Sequence, residues 1–120
     1  MAGTQSLQIG AATEIKVAAK LLELGWEVAL PLDRNAPYDL VFKQGDVWET
    51  IQIKTAYMDA KGNRIVDLRP TRNHRRYTKG DFDHLMCVRN DILYLIPWQK
   101  IETYSSNLTL SLSKWQHYIL

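Results

Sequence analysis

Apolar and polar residues alternate with a period of two along residues 38–55, YDLVFKQGDVWETIQIKT. This period is typical of β-strands, in which successive side chains point to opposite faces. Gln-Gly-Asp at 44–46 supplies turn residues, because glycine adopts a positive φ without strain. The pattern therefore predicts a β-hairpin. An even number of loop residues would place Asp39 opposite Thr50 or Gln52, whereas an odd number would put Asp39 on the other face.

The residues before this hairpin follow the period of a helix. Apolar side chains at spacings of three and four predict an amphipathic helix over 7–24 that ends at Gly25. Glu14 falls on the flank of the apolar stripe, at the edge of the buried face. The stripe that we expect to face the core consists of Leu7, Ala11, Ile15, Ala18 and Leu22.

Shorter apolar runs predict the remaining elements. We expect strands at 26–30, 64–68, 83–89, 92–96 and 108–112, a turn at Asn90-Asp91 and a short helix at 98–104. The apolar residues Trp115, Tyr118 and Ile119 form a tail that packs on the domain or on a partner subunit. We expect the 120 residues to form a single α/β domain, residues 1–120.

The composition is that of a soluble globular protein, with 46% hydrophobic and 23% charged residues. No apolar run approaches the roughly 20 residues of a membrane helix. The first ten residues lack the basic and apolar regions of a signal peptide. The one cysteine, Cys87, lies in an apolar run and favours a buried structural role. We therefore expect a cytoplasmic protein with no membrane association.

Positive charge is concentrated in one stretch of the chain. Residues 61–79 carry a net charge of +6, whereas the whole chain carries +2. The remaining residues therefore carry −4. Such an array favours a nucleic-acid duplex, which releases condensed counterions when cations neutralise its phosphates. A solvated charged loop is the alternative interpretation. The candidate DNA-binding residues are Arg64, Arg69, Arg72, Arg75, Arg76, Tyr77 and Lys79.

The hairpin itself carries candidate chemistry. With an even loop, Asp39, Gln52 and Lys54 share one face at one end of the hairpin. Oxygen ligands and a neighbouring lysine suit a Mg²⁺ site for phosphoryl transfer, because the metal polarises the phosphate and the lysine stabilises negative charge. An ordinary hairpin with polar residues on its exposed face explains the same three residues. The three histidines are too scattered for a zinc site.

At these residues the chain resembles the PD-(D/E)XK nuclease superfamily. Pro37 stands two residues before Asp39, and Gln52-Ile53-Lys54 takes the place of the (D/E)XK element. This QXK variant is similar to the group I intron homing endonucleases of the superfamily. The resemblance covers residues 8–97 and implies a mixed central β-sheet with the N-terminal helix packed on it. The neutral amide of Gln52 replaces a charged metal ligand of most relatives.

The resemblance also implies the site residues and the reaction. Asp39 would be the principal metal ligand and Gln52 a second one, with Glu14 and the main-chain carbonyl of Ile53 as further ligands. Lys54 would position the attacking water and stabilise the transition state. The implied activity is Mg²⁺-dependent cleavage of double-stranded DNA, with Mn²⁺ as a substitute, by a homodimer or homotetramer.

Two other functions share these residues. A Holliday junction resolvase would use the same metal site and would recognise the branched shape of a DNA junction rather than a sequence. A non-catalytic DNA-binding module would keep the fold and have lost the acid at the position of Gln52.

Overall fold

The computed structural model describes residues 2–33, 35–69 and 76–120, with the backbone but not the side chains of residues 2–7. The elements in chain order are α1 (Ala2–Glu23), β1 (Glu27–Ala29), β2 (Leu40–Gln44), β3 (Val47–Thr55), β4 (Tyr57–Met58), β5 (Arg64–Asp67), β6 (His84–Arg89), β7 (Ile92–Pro97), β8 (Asn107–Thr109) and α2 (Leu112–Trp115). Two single turns of 3₁₀-helix, Trp98–Lys100 and Gln116–Tyr118, complete them.

The first helix ends where the sequence predicts but begins five residues earlier, at Ala2. Gly25 adopts a φ of +85°, a conformation that glycine reaches without strain. Its N–H donates to the carbonyl of Leu22 at 2.9 Å, and the N–H of Trp26 donates to the carbonyl of Leu21 at 3.1 Å. These two bonds form a Schellman motif, which satisfies carbonyls at the helix end and turns the chain toward β1.

The predicted apolar stripe of α1 is wrong in part: Ala18 packs on the core, whereas Ala11 is exposed. Val17 and Leu21 are fully buried, whereas Ile15 and Leu22 remain 69% and 58% exposed. The helix has apolar residues on two adjacent faces, and the period alone does not say which face meets the sheet. The face that meets the sheet includes Glu14, three residues before Val17, so this carboxyl is closer to the buried side than its sequence position indicates.

The strands of the described residues form a mixed five-stranded sheet in the order β1-β2-β3-β6-β7 and a small antiparallel sheet in the order β4-β5-β8. In the larger sheet β3 and β6 pair in parallel and all other neighbours are antiparallel. Asn90, at a φ of 54°, makes the turn between β6 and β7. The predicted α/β fold with a mixed central sheet and an N-terminal helix is confirmed.

Two hydrophobic clusters lie on opposite faces of the central sheet. One packs α1 on the sheet through Val17, Leu21, Leu40 and Ile51. The other joins the sheet to β5, β8 and the C-terminal residues, with Tyr94, Ile96, Val66, Leu108 and Trp115 among its members. Strand β6 contributes to both clusters, because alternate residues of a central strand face opposite sides.

Cys87 lies on β6 and is fully buried, as expected of a structural cysteine. Burial raises the pKa of its thiol far above the ordinary value, because the thiolate would lose its hydration. The side chain therefore remains a neutral thiol and contributes to packing.

The C-terminal third differs from the predicted elements. The expected strand 108–112 is shorter, at Asn107–Thr109, and the expected helix 98–104 is one turn of 3₁₀-helix. The apolar tail packs on its own domain: Trp115 is buried, and its indole N–H donates to the carbonyl of Thr109 at 3.1 Å. Within the described residues, the helices are too short or too polar to span a bilayer.

Candidate active site

The register of the β2–β3 hairpin brings the predicted site residues together. Gln44 pairs with Val47, so the loop is the two-residue sequence Gly45-Asp46, with Gly45 at a φ of +83°. Leu40 pairs with Ile51, and continuing this register by one residue places Asp39 opposite Gln52. Leu40 and Ile51 face α1, and because side chains alternate along a strand, the neighbouring Asp39 and Gln52 face the opposite side of the sheet.

Asp39 is held by the strand that faces it. Its Oδ2 accepts the main-chain N–H of Ile53 at 2.8 Å and the side-chain amide of Gln52 at 3.0 Å. Partial burial raises the pKa of this carboxyl, and the Ile53 N–H and the Lys54 charge oppose that effect. The carboxylate is therefore poorly hydrated, a state in which a cation would stabilise it.

The side-chain amide of Gln52 joins two oxygens of the site. Its Nε2 donates one hydrogen to Asp39 Oδ2 at 3.0 Å and lies 3.2 Å from the carbonyl oxygen of Ile53. Both neighbours are acceptors, so the amide nitrogen and not the amide oxygen has to face them. For its oxygen to bind a metal together with Asp39, the amide has to rotate.

These residues fit a divalent metal ion. The carboxylate of Asp39 and the carbonyl of Ile53 converge on one polar hydrogen-bond donor, and a cation in place of that donor would meet the same two oxygens. Hard oxygen ligands with one or two carboxylates suit Mg²⁺, which keeps several waters. Among the described residues, His, Cys, Asp and Glu side chains form no group of three that could hold a metal, so a metal here would also need main-chain or amide oxygens.

Lys54 is two residues beyond Gln52 on the same strand and is half-buried. Its Nζ donates to the carbonyl of Arg69 at 3.3 Å and lies 5.6 Å from the centre of the Tyr77 ring. Desolvation lowers the pKa of the ammonium, while the negative charges of Asp67 and Asp39 raise it. The lysine is thus packed between the hairpin and the segment that follows β5.

Asp67, at the end of β5, is a neighbour of the site that the sequence did not predict. The hydrogen bonds and charge of Arg69 hold the pKa of its carboxyl below the usual range, and the charge of Lys54 adds to this effect. Its spacing from Arg69, Asp-Leu-Arg at 67–69, is typical of a local side-chain-to-backbone turn. That signal identifies the turn, but the approach of β5 to β3 comes from the tertiary fold.

Glu14 lies on α1, which packs on the other face of the sheet. It lines an open cavity of about 200 Å³ together with Ala18, Val28 and Leu40. Leu40 directly follows Asp39, so the glutamate is near the end of β2 at which the acid lies. Its role as a metal ligand stays a prediction.

The basic residues are only partly described. Arg64 lies on β5, Arg76 donates to the carbonyl of Tyr104 at 3.4 Å, and Lys79 is exposed. Arg69 is bound to Asp67, and the ring of Tyr77 packs edge-on against Phe82 at 5.0 Å between centroids. Arg72 and Arg75 lie outside the described residues. The role of these residues in DNA binding stays a prediction.

Known proteins are similar to this chain in sequence or in structure. Residues 4–118 match the PD-(D/E)XK endonuclease family. The chain is 29% identical over 103 residues to Protein 5.3 of Escherichia phage T7, a match that covers 81% of this chain and 84% of that protein. It is also similar to the solved structure of a bacterial homing endonuclease, I-Ssp6803I, with a TM-score of 0.76 and 28% identity over 85% of this chain and 75% of that one. The chain therefore belongs to the PD-(D/E)XK endonuclease family.

Proposed function

We propose that this nuclease is an intracellular Mg²⁺-dependent endonuclease that cleaves double-stranded DNA, of the homing endonuclease kind, with residues 1–120 forming one catalytic domain. The observation that carries the proposal is the convergence of the Asp39 carboxylate, the Ile53 carbonyl and the Gln52 amide, with Lys54 beside them. The similarity to a bacterial homing endonuclease supports the finer assignment.

The metal would be held by oxygen atoms of the hairpin. Asp39 and the carbonyl of Ile53 would supply two of the ligands, and the oxygen of a rotated Gln52 amide would supply a third. Glu14 binds directly or through water. When bound, Mg²⁺ supplies Lewis-acid polarisation of the scissile phosphate, and Mn²⁺ supplies the same chemistry.

Lys54 acts on the phosphate and on the water that attacks it. Hydrolysis forms a bond between phosphorus and the water oxygen and breaks one ester bond, while negative charge grows on the non-bridging oxygens. An ammonium beside the Asp39 carboxylate donates hydrogen bonds to these oxygens and orients the water. Its partial desolvation strengthens this interaction, because fewer water molecules compete for it.

The duplex would lie against the positively charged stretch that begins at β5. Arginine suits phosphate contacts because its planar guanidinium donates two parallel hydrogen bonds. Among the candidates, Arg69 and Tyr77 already have partners inside the protein. We assign the DNA contacts to the remaining cations of the stretch, Arg64, Arg72, Arg75, Arg76 and Lys79, and a phosphate would replace the carbonyl of Tyr104 as an acceptor for Arg76.

A homodimer or homotetramer would supply the second active site needed to cut both strands. A two-fold axis relates two copies of one site in the way that the two strands of a duplex are related. The outer face of α1, where Ile15 and Leu22 are exposed, is the surface at which we expect the contact between subunits.

Cleavage of a randomised duplex library in Mg²⁺ tests the proposal, with Lys54→Ala as the inactive control. Cleavage at a restricted set of sequences that requires Lys54 supports a sequence-reading endonuclease. Preferential cleavage of a four-way junction over a long linear duplex would instead identify a Holliday junction resolvase. Binding without any divalent-dependent cleavage would identify a non-catalytic module that has lost the acid at the position of Gln52.

A further inference from the structure

The ammonium of Lys54 is anchored by a main-chain atom outside the hairpin. Its Nζ donates to the carbonyl of Arg69, 15 residues further along the chain, at 3.3 Å. A lysine side chain has four rotatable carbon–carbon bonds, so its ammonium has no fixed position unless a partner holds it. The position of the Arg69 carbonyl therefore affects where the proposed catalytic ammonium lies.

Asp67 fixes that position through three hydrogen bonds to Arg69. Its Oδ1 accepts the main-chain N–H of Arg69 at 2.9 Å and the guanidinium Nε at 3.0 Å. Its Oδ2 accepts the guanidinium Nη2 at 3.0 Å. One carboxylate thus binds both the backbone and the side chain of Arg69, and its negative charge also attracts Lys54.

We propose that Asp67 and Arg69 form a positioning clip that holds the ammonium of Lys54 in its reactive place. This inference rests on the proposed nuclease function. It gives Arg69 a role within the protein, where the charge pattern alone predicts a DNA contact. Asp67 and Arg69 are positioning residues, because they act through Lys54.

The Asp67–Arg69 ion pair should contribute little to the stability of the fold. The side chains of Arg69 and Asp67 are 69% and 41% exposed, and exposed ion pairs contribute little to the free energy of unfolding. Removal of the clip should therefore leave the melting temperature nearly unchanged. Misplacement of a catalytic group by about 1 Å, in contrast, can slow a reaction by about 100-fold.

The first test is the kinetics of Asp67→Ala. We expect kcat to fall by about 10- to 100-fold, with KM for DNA and the salt dependence of binding unchanged. Asp67→Asn keeps an oxygen for the Arg69 N–H and should recover part of the loss. Glu27→Ala is the matched control. Glu27 lies on the edge strand β1, and its loss likewise removes an exposed acid from an ion pair, here the pair with Lys43 of β2. Wild-type kcat in a folded Asp67→Ala would overturn the inference.

Arg69→Ala separates the clip from a DNA contact. The variant keeps the backbone bond to Asp67 and loses the two guanidinium bonds. We expect a smaller loss of kcat than in Asp67→Ala and an unchanged slope of log affinity against log salt. A slope reduced by about 0.9 with kcat unchanged would show that Arg69 neutralises a phosphate, and the clip would be wrong.

A measurement without DNA or metal reports the lysine position directly. The Lys54 ammonium lies 5.6 Å from the centre of the Tyr77 ring, so its ε-methylene protons should show a ring-current shift by NMR. We expect this shift to move toward that of a solvent-exposed lysine in Asp67→Ala and to persist in Glu27→Ala. An unchanged shift in Asp67→Ala would contradict the clip. Full cleavage by Lys54→Ala would instead contradict the proposed function.

Discussion

Gln52 donates its side-chain amide to the carboxylate of Asp39 across the hairpin, with 3.0 Å between Nε2 and Oδ2. The same nitrogen lies 3.2 Å from the carbonyl oxygen of Ile53. A neutral donor thus lies between two oxygens that would otherwise repel each other. A cation that binds both oxygens has to displace this nitrogen, so metal binding and the orientation of Gln52 are linked.

The first prediction concerns this link. Gln52→Glu should lower the stability of the metal-free fold, because it replaces a hydrogen-bond donor by a second carboxylate beside Asp39. The same change should tighten Mg²⁺ binding by about an order of magnitude. Gln52→Ala should weaken Mg²⁺ binding. Calorimetry measures the affinity, and Gln44→Glu, at the exposed end of β2, is the control for the added charge. If both variants bind Mg²⁺ like the wild type, Gln52 is not a ligand.

The second prediction follows from the raised pKa of Asp39. Because burial raises this pKa, the folded state binds the proton more tightly than the unfolded state, and folding loses stability as pH rises through the interval between the two values. Without metal, Asp39→Asn should therefore be more stable than the wild type at neutral pH, and the difference should shrink in acid. Urea unfolding across pH measures it, and a less stable Asp39→Asn at neutral pH would contradict the prediction.

The third prediction is that Lys54→Ala reduces cleavage by roughly 100-fold or more while most of the DNA affinity remains. The half-buried lysine contributes mainly a charged hydrogen-bond donor. Single-turnover cleavage and equilibrium binding measure the two effects. Lys43→Ala, toward the opposite end of the hairpin, is the control and should cleave normally.

The fourth prediction concerns DNA affinity. Combined Arg75→Ala and Arg76→Ala should weaken binding and lower the slope of log affinity against log salt by about 1 to 2, since each lost phosphate contact contributes about 0.9. Titrations at several salt concentrations measure the slope, with Lys43→Ala as the control. An unchanged slope would place the DNA on another surface.

The fifth prediction concerns the outer face of α1. Ile15→Glu combined with Leu22→Glu should convert the oligomer to monomers without unfolding it, because both side chains are exposed in the single chain. Sedimentation at several concentrations measures the mass. Leu112→Glu, an exposed leucine on α2, is the control. A wild-type chain that stays monomeric at all concentrations would contradict the proposed interface.

The sequence predicts the hairpin well because its determinants are local. The period of two predicts that Asp39 shares a face with Gln52 if the loop has an even number of residues. The sequence leaves the loop length open and offers Thr50 as the other residue opposite Asp39, and the two-residue loop of the structure selects Gln52. The approach of Asp67 to Lys54 does not follow from the sequence, because it depends on how the small sheet packs on the central one. No pattern along the chain encodes that packing.

The first helix shows the same limit. Its existence and its end at Gly25 follow from local signals, but its buried face does not. Ile15 and Leu22 satisfy the helical period as well as Val17 and Leu21 do, and the sheet selects the second pair. The C-terminal residues were predicted least well, since short elements such as α2 are stabilised mainly by tertiary contacts.

The hairpin also bears on the order in which the protein folds. The bonds that join Asp39 to Gln52 and Ile53 span 13 and 14 residues, whereas the bonds between Thr50 and Asp83 at the start of the β3–β6 pairing span 33. Contacts between residues close in sequence lose less chain entropy when they form. During synthesis, we therefore expect the contacts of Asp39 with Gln52 and Ile53 to form before β6 has left the ribosome. Lys54 gains its anchor at Arg69 afterwards, so that the proposed metal ligands meet before the proposed catalytic lysine is held in place.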